Sequence, residues 1–299
     1  MRFNPKTIHF GGHETFQLRY SWLTKGYRHV SVDSDFFKKE DFHQTLGVGM
    51  NMGLSIKFWL KSFQIVDHKS FKVTKIGQKI FDEQKGIDPY LEDDSTIWLL
   101  HWLLCSNPRA TLFYYFFNNF HKPDFTRDEL FKDLGDFLTK NVEDKRRPAL
   151  ATLKKDTQLI TRMYGSDGNK EDSIDSPMSS LNLIFNLKSL NKFRSLISDK
   201  PELSKYIIAF ALTEFMNSEN LVSIPLNDLM YANDHTCSIG SIFRITENGL
   251  INKLEELSQE FPSQFQIRES SGINQFFMLK KIDSFKFLDI NFKSFSKVA

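Results

Sequence analysis

The segment Leu46-Gly-Val-Gly-Met-Asn-Met-Gly-Leu-Ser-Ile-Lys-Phe-Trp-Leu60 predicts a tight glycine turn followed by an amphipathic helix. Apolar residues recur at helical spacing from Met52 onward, at Ile56, Trp59, Leu60 and Phe63. The opposite side of the helix carries polar residues, namely Asn51, Ser55, Lys57 and Lys61. A helix with an apolar back and an Asn/Ser/Lys front fits the major groove of DNA. An ordinary surface helix has the same pattern, so the flanking sequence must distinguish the two.

The flanking sequence favours a winged helix-turn-helix module. Residues 35–45 predict a short helix before the glycine turn, and residues 63–66 and 70–73 are short strand candidates after the amphipathic helix. Thr74 is placed to cap a further helix over residues 75–83. This order of elements is typical of winged helices that bind DNA. A winged helix that docks on another protein would show the same order, so that alternative stays open.

Composition indicates a globular protein with a large aromatic core. Of its 299 residues, 40% are hydrophobic and 25% are charged, which argues against a disordered chain. The 30 phenylalanines must mostly be buried, because exposed rings would promote aggregation. The formal net charge is only +2, so any basic surface for nucleic acid must be local.

Cysteine content and hydropathy predict a cytoplasmic protein. Cys105 and Cys237 lack the spacing of a zinc site and suggest a reducing compartment without disulfides. The beginning of the chain shows no signal-peptide pattern, and the longest apolar run, residues 97–105, is too short to span a bilayer. We expect that run to be a buried helix, with His101 as a hydrogen-bonded core residue.

We predict a mainly α protein with small β-hairpins, an α+β fold, in three modules. The first, residues 1–90, is the winged helix-turn-helix-like domain, and the second, residues 91–200, is helical. In the second, Thr126 and Glu129 have the spacing of a helix capping box. The third, residues 201–299, combines helices with two strands over residues 265–278, which suggests a second winged-helix-like module.

Several motifs resemble those of one bacterial family, and their ordered series covers nearly the whole chain. They are Phe10-Gly-Gly-His-Glu-Thr-Phe16 with Leu18-Arg-Tyr20 and Trp22-Leu23; Leu46-Gly-Val-Gly49 with Asn51-Met52, Ser55-Ile56 and Trp59; Tyr90-Leu-Glu-Asp93; Trp98-Leu-Leu-His-Trp102; Ser106-Asn-Pro108; Thr152-Leu-Lys-Lys-Asp156; and Glu171-Asp-Ser-Ile-Asp-Ser-Pro177. The family was long catalogued as a domain of unknown function and includes SspB, the DNA-nicking component of Ssp DNA phosphorothioation systems. Met50 and Ser176 depart from the family pattern, which often has lysine and cysteine at these positions.

The resemblance implies a role in bacterial antiphage defence. It implies that the chain binds duplex DNA and nicks one strand, so that sulfur can replace a non-bridging phosphate oxygen. The implied partners are a cysteine desulfurase, an ATPase and a sulfurtransferase-like protein.

Cleavage of a phosphodiester requires an activated nucleophile and neutralisation of the phosphate charge, for which proteins often use a divalent metal. His13 and Glu14, on a glycine turn, are the candidate catalytic pair, although a purely structural turn would explain them equally well. Glu171, Asp172 and Asp175 are candidate ligands for magnesium or manganese, with a solvated acidic loop as the alternative. Further candidate DNA contacts are Arg19, Lys25, Arg146, Arg147, Lys154 and Lys155.

The expected function is therefore that of a nicking endonuclease of a phosphorothioation system. Two rivals stay open: a non-catalytic DNA-binding adaptor that positions the sulfur-transfer proteins, and a protein scaffold. A homodimer is a further possible assembly under any of these functions, and no association with a membrane is expected.

Overall fold

Helices form most of the chain in the computed structural model, which describes residues 1–166, 176–232, 236–270 and 273–295. The contacts divide the chain into a larger unit, residues 4–116 and 120–196, and a smaller unit, residues 1–3, 117–119 and from 197 onward. The α+β fold class is confirmed, whereas the division into three modules stays a prediction.

The larger unit consists of helices and one small sheet. The helices are α1 (Tyr20–Val32), α2 (Phe42–Thr45), α3 (Met50–Ser62), α4 (Lys75–Phe81), α5 (Asp94–Cys105), α6 (Thr111–Asn118), α7 (Arg127–Asn141) and α8 (Leu150–Tyr164). The strands are β1 (Asp124–Phe125), β2 (Gly165–Ser166), β3 (Ile184–Leu187) and β4 (Lys192–Ser195), in the spatial order β1-β4-β3-β2. The pairs β1–β4 and β3–β4 are antiparallel, and β2 runs parallel to β3. Short 3₁₀ turns lie at Phe36–Lys38, Asp144–Arg146, Pro177–Leu181 and Lys188–Leu190.

The smaller unit packs helices with a three-stranded antiparallel sheet. Its helices are α9 (Lys205–Ser218), α10 (Leu226–Met230), α11 (Ile239–Phe243), α12 (Glu247–Glu260) and α13 (Phe285–Phe295). Its strands are β5 (Ser223–Pro225), β6 (Phe265–Ser270) and β7 (Ile273–Met278), in the order β5-β7-β6. The predicted hairpin over residues 265–278 is confirmed. The winged-helix assignment of this unit stays a prediction.

Local signals explain where several helices begin. Thr126 accepts a hydrogen bond from the Glu129 amide, and the Glu129 carboxylate accepts one from the Thr126 amide, so the predicted capping box is confirmed. Thr74 caps α4 through the Gly77 amide at 3.0 Å. Helix α5 is capped by Asp93, whose carboxylate accepts from the Ser95 amide at 2.7 Å.

The details of the first winged helix-turn-helix are not confirmed. Residues 35–45 form a 3₁₀ turn and the four-residue α2 where one helix was expected. Between α3 and α4, the two expected strands reduce to a single antiparallel bridge between Val66 and Val73. The physical reason is that Gln64 and Phe71 adopt left-handed backbone angles, with φ of 58° and 59°, which interrupt an extended strand.

The core of the larger unit is aromatic. Residues 95–105 of α5 are all buried, so this helix has no solvent face. Within it, the imidazole of His101 hydrogen-bonds the hydroxyl of Tyr164 on α8 at 2.8 Å, which confirms its role in the core. Trp59 of α3 is fully buried against Phe113, with ring centroids 5.7 Å apart. Each such ring contributes roughly 1.5–3 kcal/mol through burial, so the buried side of α3 is firmly anchored. No helix among the described residues has the length and hydropathy needed to cross a bilayer.

Two glycines give a matched test of this packing. A β-carbon added at Gly77 in α4 would lie 2.3 Å from the carbonyl oxygen of Ile65, whereas one added at Gly135 in α7 would meet nothing within 4 Å. We expect Gly77→Ala to lower the free energy of unfolding by about 2–4 kcal/mol through overpacking against backbone. Gly135→Ala should raise it by up to about 1 kcal/mol through helix propensity. Urea denaturation of both variants, followed by circular dichroism, measures the two effects, and equal shifts of the same sign would contradict this packing.

Candidate anion-binding site

A cationic pocket of about 280 Å³ lies in the larger unit. Its lining comes from the segment before the first helix, from α3, from the loop after α3 and from the loop after α5: His9, Gly12, Glu14, Leu54, Lys57, Phe58, Lys61, Ser62, His68, Asn107 and Arg109. Of these, Lys57, Lys61 and Arg109 carry positive charge, and Glu14 is the one carboxylate. We call this the α3 pocket.

Helix α3 contributes two lysines to the α3 pocket. Lys57 and Lys61 are half-buried and lie one turn apart, with their ammonium groups 6.0 and 5.0 Å from the ring centre of Phe71. Burial lowers the pKa of Lys61, and the nearby charges of Lys57 and Arg109 lower it further. Among the described residues, no carboxylate forms an ion pair with either lysine, so an anion in the pocket would relieve this repulsion.

Asn107 positions the arginine of the α3 pocket. Its side-chain amide donates to the carbonyl oxygen of Ser62 at 3.0 Å, at the end of α3, and its side-chain oxygen accepts from the Arg109 amide at 3.1 Å. One buried side chain thus joins the last turn of α3 to the loop that carries Arg109. The Ser106-Asn-Pro108 motif therefore contributes to the α3 pocket by fixing the position of Arg109 relative to α3.

Two histidines also line the α3 pocket. His68 lies in the loop after α3, which Asp67 orders by accepting from the Ser70 amide and hydroxyl, both at 2.7 Å. Burial lowers the pKa of His68, with further lowering by Arg109 and Lys61. The ring of His9 stacks on Phe58 at 5.6 Å, and its partial burial lowers its pKa as well. In both cases the protein therefore disfavours the charged imidazole.

The glycine turn before α1 forms the wall of the α3 pocket that carries Glu14. Gly11 has a φ of 79°, and Glu14 and Thr15 follow with φ of 48° and 68°. A left-handed conformation is costly for a β-branched residue such as Thr15, so surrounding contacts must hold it. Gly12 packs closely against Phe58 of α3, because an added β-carbon would lie 2.7 Å from the phenyl ring. Strain concentrated in one turn beside a charged pocket is typical of a functional site.

His13 does not face the α3 pocket. It is 2% exposed, and its Nε2 lies 2.7 Å from the carboxylate of Asp156, which is also buried. Its Nδ1 accepts a hydrogen bond from the Thr15 amide at 3.0 Å, so Nε2 carries the proton and donates it to Asp156. Both ring nitrogens are therefore engaged, and no lone pair is free to abstract a proton. For His13 the geometry favours the structural-turn alternative over a catalytic base.

The polar face of α3 is divided between the α3 pocket and the core. Lys57 and Lys61 reach the pocket, and Asn51 is exposed at the start of the helix. Ser55 is wrong as a DNA contact, because its side chain is fully buried. More of the surface of α3 is covered by neighbouring elements than its amphipathic pattern indicated, because α1 and α2 both pack against it.

The other predicted basic residues do not converge on the α3 pocket. Arg147 donates to the carbonyl oxygens of Val142 and Thr139, both at 2.8 Å, so its guanidinium closes a local loop. Arg146 pairs with Glu143 at 3.8 Å on the surface. Exposed positions on α8 are occupied by Lys154 and Lys155, and two separate recesses, of about 240 and 440 Å³, contain Arg19 and Lys25 respectively.

The predicted metal ligands Glu171, Asp172 and Asp175 lie outside the described residues. Within the described part of the chain, no three His, Cys, Asp or Glu side chains come close enough to hold a metal ion. In the α3 pocket, Glu14 faces a surplus of positive groups. A cation would therefore bind there only together with an anionic ligand that supplies further oxygens.

Sequence reasoning missed three titratable lining residues of the α3 pocket: His9, His68 and Arg109. They lie in loops without helical or strand periodicity, far apart in the sequence. His9 directly precedes the Phe10–Phe16 motif, and Arg109 directly follows Ser106-Asn-Pro108, so proximity to these motifs was the one signal that could have found them.

Fold and site together define an α+β protein with a cationic pocket of about 280 Å³ beside a strained glycine turn. The sequence matches the family described as "Protein of unknown function (DUF4007)" over residues 10–291, and the chain belongs to that family. Two crystal structures of SspB, one of them magnesium ion-bound, are similar to it, each with a TM-score of 0.84 and 25% sequence identity over 97% of this chain and 90% of the other. A search of curated proteins finds no match.

The hydrogen bonds of Asp156 can be tested with an isosteric change. The Asp156 carboxylate accepts hydrogen bonds from the Gly11 amide at 3.0 Å and from His13 Nε2 at 2.7 Å. Asp156→Asn keeps the shape of the side chain but replaces one acceptor oxygen with an NH₂ donor. That donor would face one of these two N–H groups. We expect the free energy of unfolding to fall by about 2–3 kcal/mol, because a buried donor loses its partner. Chemical denaturation measures the loss. Asp136→Asn, at an exposed position on α7, is the matched control and should change stability by less than about 0.5 kcal/mol.

Proposed function

We propose that this chain is the DNA-nicking component of a bacterial DNA phosphorothioation system. It binds the backbone of duplex DNA, with one phosphate in the α3 pocket, and breaks one strand there so that sulfur can be incorporated. The similarity to SspB supports the relation to that system.

The observation that carries this proposal is the convergence of two separate sequence features on one pocket. Lys57 and Lys61 of α3 face Glu14 of the glycine turn across the same space, although they lie more than forty residues apart in the sequence. A phosphodiester carries one negative charge, and the three positive side chains with two imidazoles match that charge better than any neutral ligand.

The described residues can divide the chemistry of hydrolysis among them. Water adds to phosphorus, one P–O ester bond breaks, and the leaving oxygen takes up a proton. Lys57, Lys61 and Arg109 neutralise the charge that builds on the phosphate oxygens. A neutral imidazole, His9 or His68, accepts the proton of the attacking water, which a pKa below the ordinary value allows near pH 7.

Glu14 is the residue placed to hold a divalent ion. Magnesium is commonly bound by one or two carboxylates together with phosphate oxygens of the substrate, and one carboxylate is what the α3 pocket offers. Bound there, magnesium would supply additional neutralisation of the phosphate. One of the similar SspB structures is magnesium ion-bound, which supports testing this ion first.

DNA binding should depend on the two lysines of α3. We expect the double variant Lys57→Gln and Lys61→Gln to weaken duplex binding. The slope of the logarithm of the binding constant against the logarithm of the salt concentration should fall by about 0.9 for each DNA phosphate that the variant no longer neutralises. Fluorescence anisotropy at several salt concentrations measures both quantities. The double variant Lys132→Gln and Lys140→Gln, at exposed positions on α7 outside the pocket, is the charge-matched control. A Lys57/Lys61 variant that binds like the parent at every salt concentration would remove the α3 pocket from the interface.

Nicking should require the pocket carboxylate. In a plasmid relaxation assay with magnesium or manganese, we expect the parent to convert supercoiled DNA to open circles and Glu14→Gln to lose at least about a hundredfold in rate, while still binding DNA. The rate should fall toward acid pH, because the base imidazole becomes protonated below its lowered pKa, whereas binding should strengthen as the imidazoles gain charge. A rate that rises toward acid pH would contradict an imidazole base.

The second candidate is a non-catalytic DNA-binding adaptor for the cysteine desulfurase, ATPase and sulfurtransferase-like partners. It is favoured by the lack of a three-ligand metal cluster among the described residues. It predicts salt-sensitive binding with supercoiled plasmid left intact in either metal. A protein scaffold predicts neither binding nor relaxation, but stable capture of the partners.

A further inference from the structure

A second basic recess lies beside the same glycine turn. It has a volume of about 240 Å³ and is lined by Thr15, Phe16, Gln17, Arg19 and Arg162. The α3 pocket is lined by Gly12 and Glu14, and this recess by the residues that follow, Thr15 to Gln17, so one short segment contributes to both. We call this second recess the Arg162 pocket.

The charged residues of the Arg162 pocket are both arginines. Arg162 lies on α8 and donates to the carbonyl oxygen of Thr15 at 2.9 Å, which leaves its other N–H groups free to bind a ligand. Burial lowers the pKa of Arg162, and the nearby charge of Arg127 lowers it further. Neither Arg19 nor Arg162 forms an ion pair with a carboxylate in the described part of the chain. Two unpaired guanidinium groups in one recess indicate an anion site.

The turn between the two pockets is held rigidly. The Asp156 carboxylate accepts from the Gly11 amide on one side, and the Arg162 guanidinium binds the Thr15 carbonyl on the other. Both anchors come from α8, so this one helix sets the position of Glu14 relative to both recesses. A fixed spacing between two anion sites suits a polymer with regularly repeating charges better than separate small anions.

We propose that Arg162 and Arg19 hold a second phosphate of the same DNA strand whose neighbouring phosphate lies in the α3 pocket. The strand then crosses the glycine turn, with Glu14 beside the phosphate in the α3 pocket. This inference rests on the proposed function, because it takes the ligand of the α3 pocket to be a DNA phosphate. It assigns Arg162 to binding and positioning of the scissile strand.

The test is the salt dependence of duplex binding by charge-changing variants. Arg162→Gln should weaken binding and reduce the slope of log K against log salt by about 0.9, the value for one neutralised phosphate. Arg162→Lys should keep the slope, since the charge remains, but bind more weakly than the parent because the planar fork is lost. The single variant Lys140→Gln serves as the matched control. Thermal unfolding of each variant checks that the turn remains folded.

A second variant guards against misfolding. Arg19 makes a cation–π contact with Trp22 at 5.5 Å and no hydrogen bond to the turn, so Arg19→Gln leaves the anchors of the turn in place. It should reduce the slope by a similar amount. If Arg162→Gln does not fold, the Arg19 result decides.

The outcomes separate this inference from the proposed function. If the parent does not bind duplex DNA, the proposed function and the second subsite both fail. If the parent binds and the Lys57/Lys61 variant lowers the slope, but Arg162→Gln and Arg19→Gln leave it unchanged, the second subsite alone is wrong. A slope reduced equally by Lys140→Gln would also overturn it, because the effect would then reflect net charge.

Discussion

The buried carboxylate of Asp156 holds the candidate site together. It is 2% exposed and accepts hydrogen bonds from the Gly11 amide and from His13 Nε2. A carboxylate at this depth costs several kcal/mol unless donors surround it, and the turn supplies those donors. The carboxylate therefore requires the turn, and the turn is kept in its left-handed conformation by the carboxylate. This mutual dependence fixes the position of Glu14 in the α3 pocket and of the turn residues that line the Arg162 pocket.

The fold concentrates positive charge where the composition gives no hint of it. The chain as a whole has a formal net charge of only +2, yet Lys57, Lys61 and Arg109 converge on one space with a single carboxylate. Repulsion among these groups destabilises the folded chain, and an anionic ligand would remove it. Asn107 and the buried face of α3 supply the rigidity that keeps the cations together. A cluster of like charges that lowers the stability of the folded chain is typical of a ligand-binding site.

Much of the fold could be predicted from local signals, and the reasons are specific. The capping box of Thr126 and Glu129, the cap at Thr74 and the hairpin over residues 265–278 each depend on residues close together in the sequence. The first winged-helix hairpin was mispredicted because residues 63–73 alternate like strands, whereas left-handed angles at Gln64 and Phe71 turn the backbone into a loop. Ser55 was misplaced for a related reason: periodicity identifies two faces of a helix, but not how many neighbours cover them.

The amino-acid sequence by itself predicted the family membership, the α+β class, the helix of residues 50–62 and the importance of the glycine turn. It could do so because motifs, caps and periodicity depend on residues that are close together in the sequence. The roles within the site were not. His13 turned out to be hydrogen-bonded on both nitrogens, and His9, His68, Arg109 and Arg162 joined the recesses from segments that share no pattern. Only packing brings residues from distant segments within a few ångströms of one another, and only then do burial and neighbouring charges decide which side chain can meet a ligand.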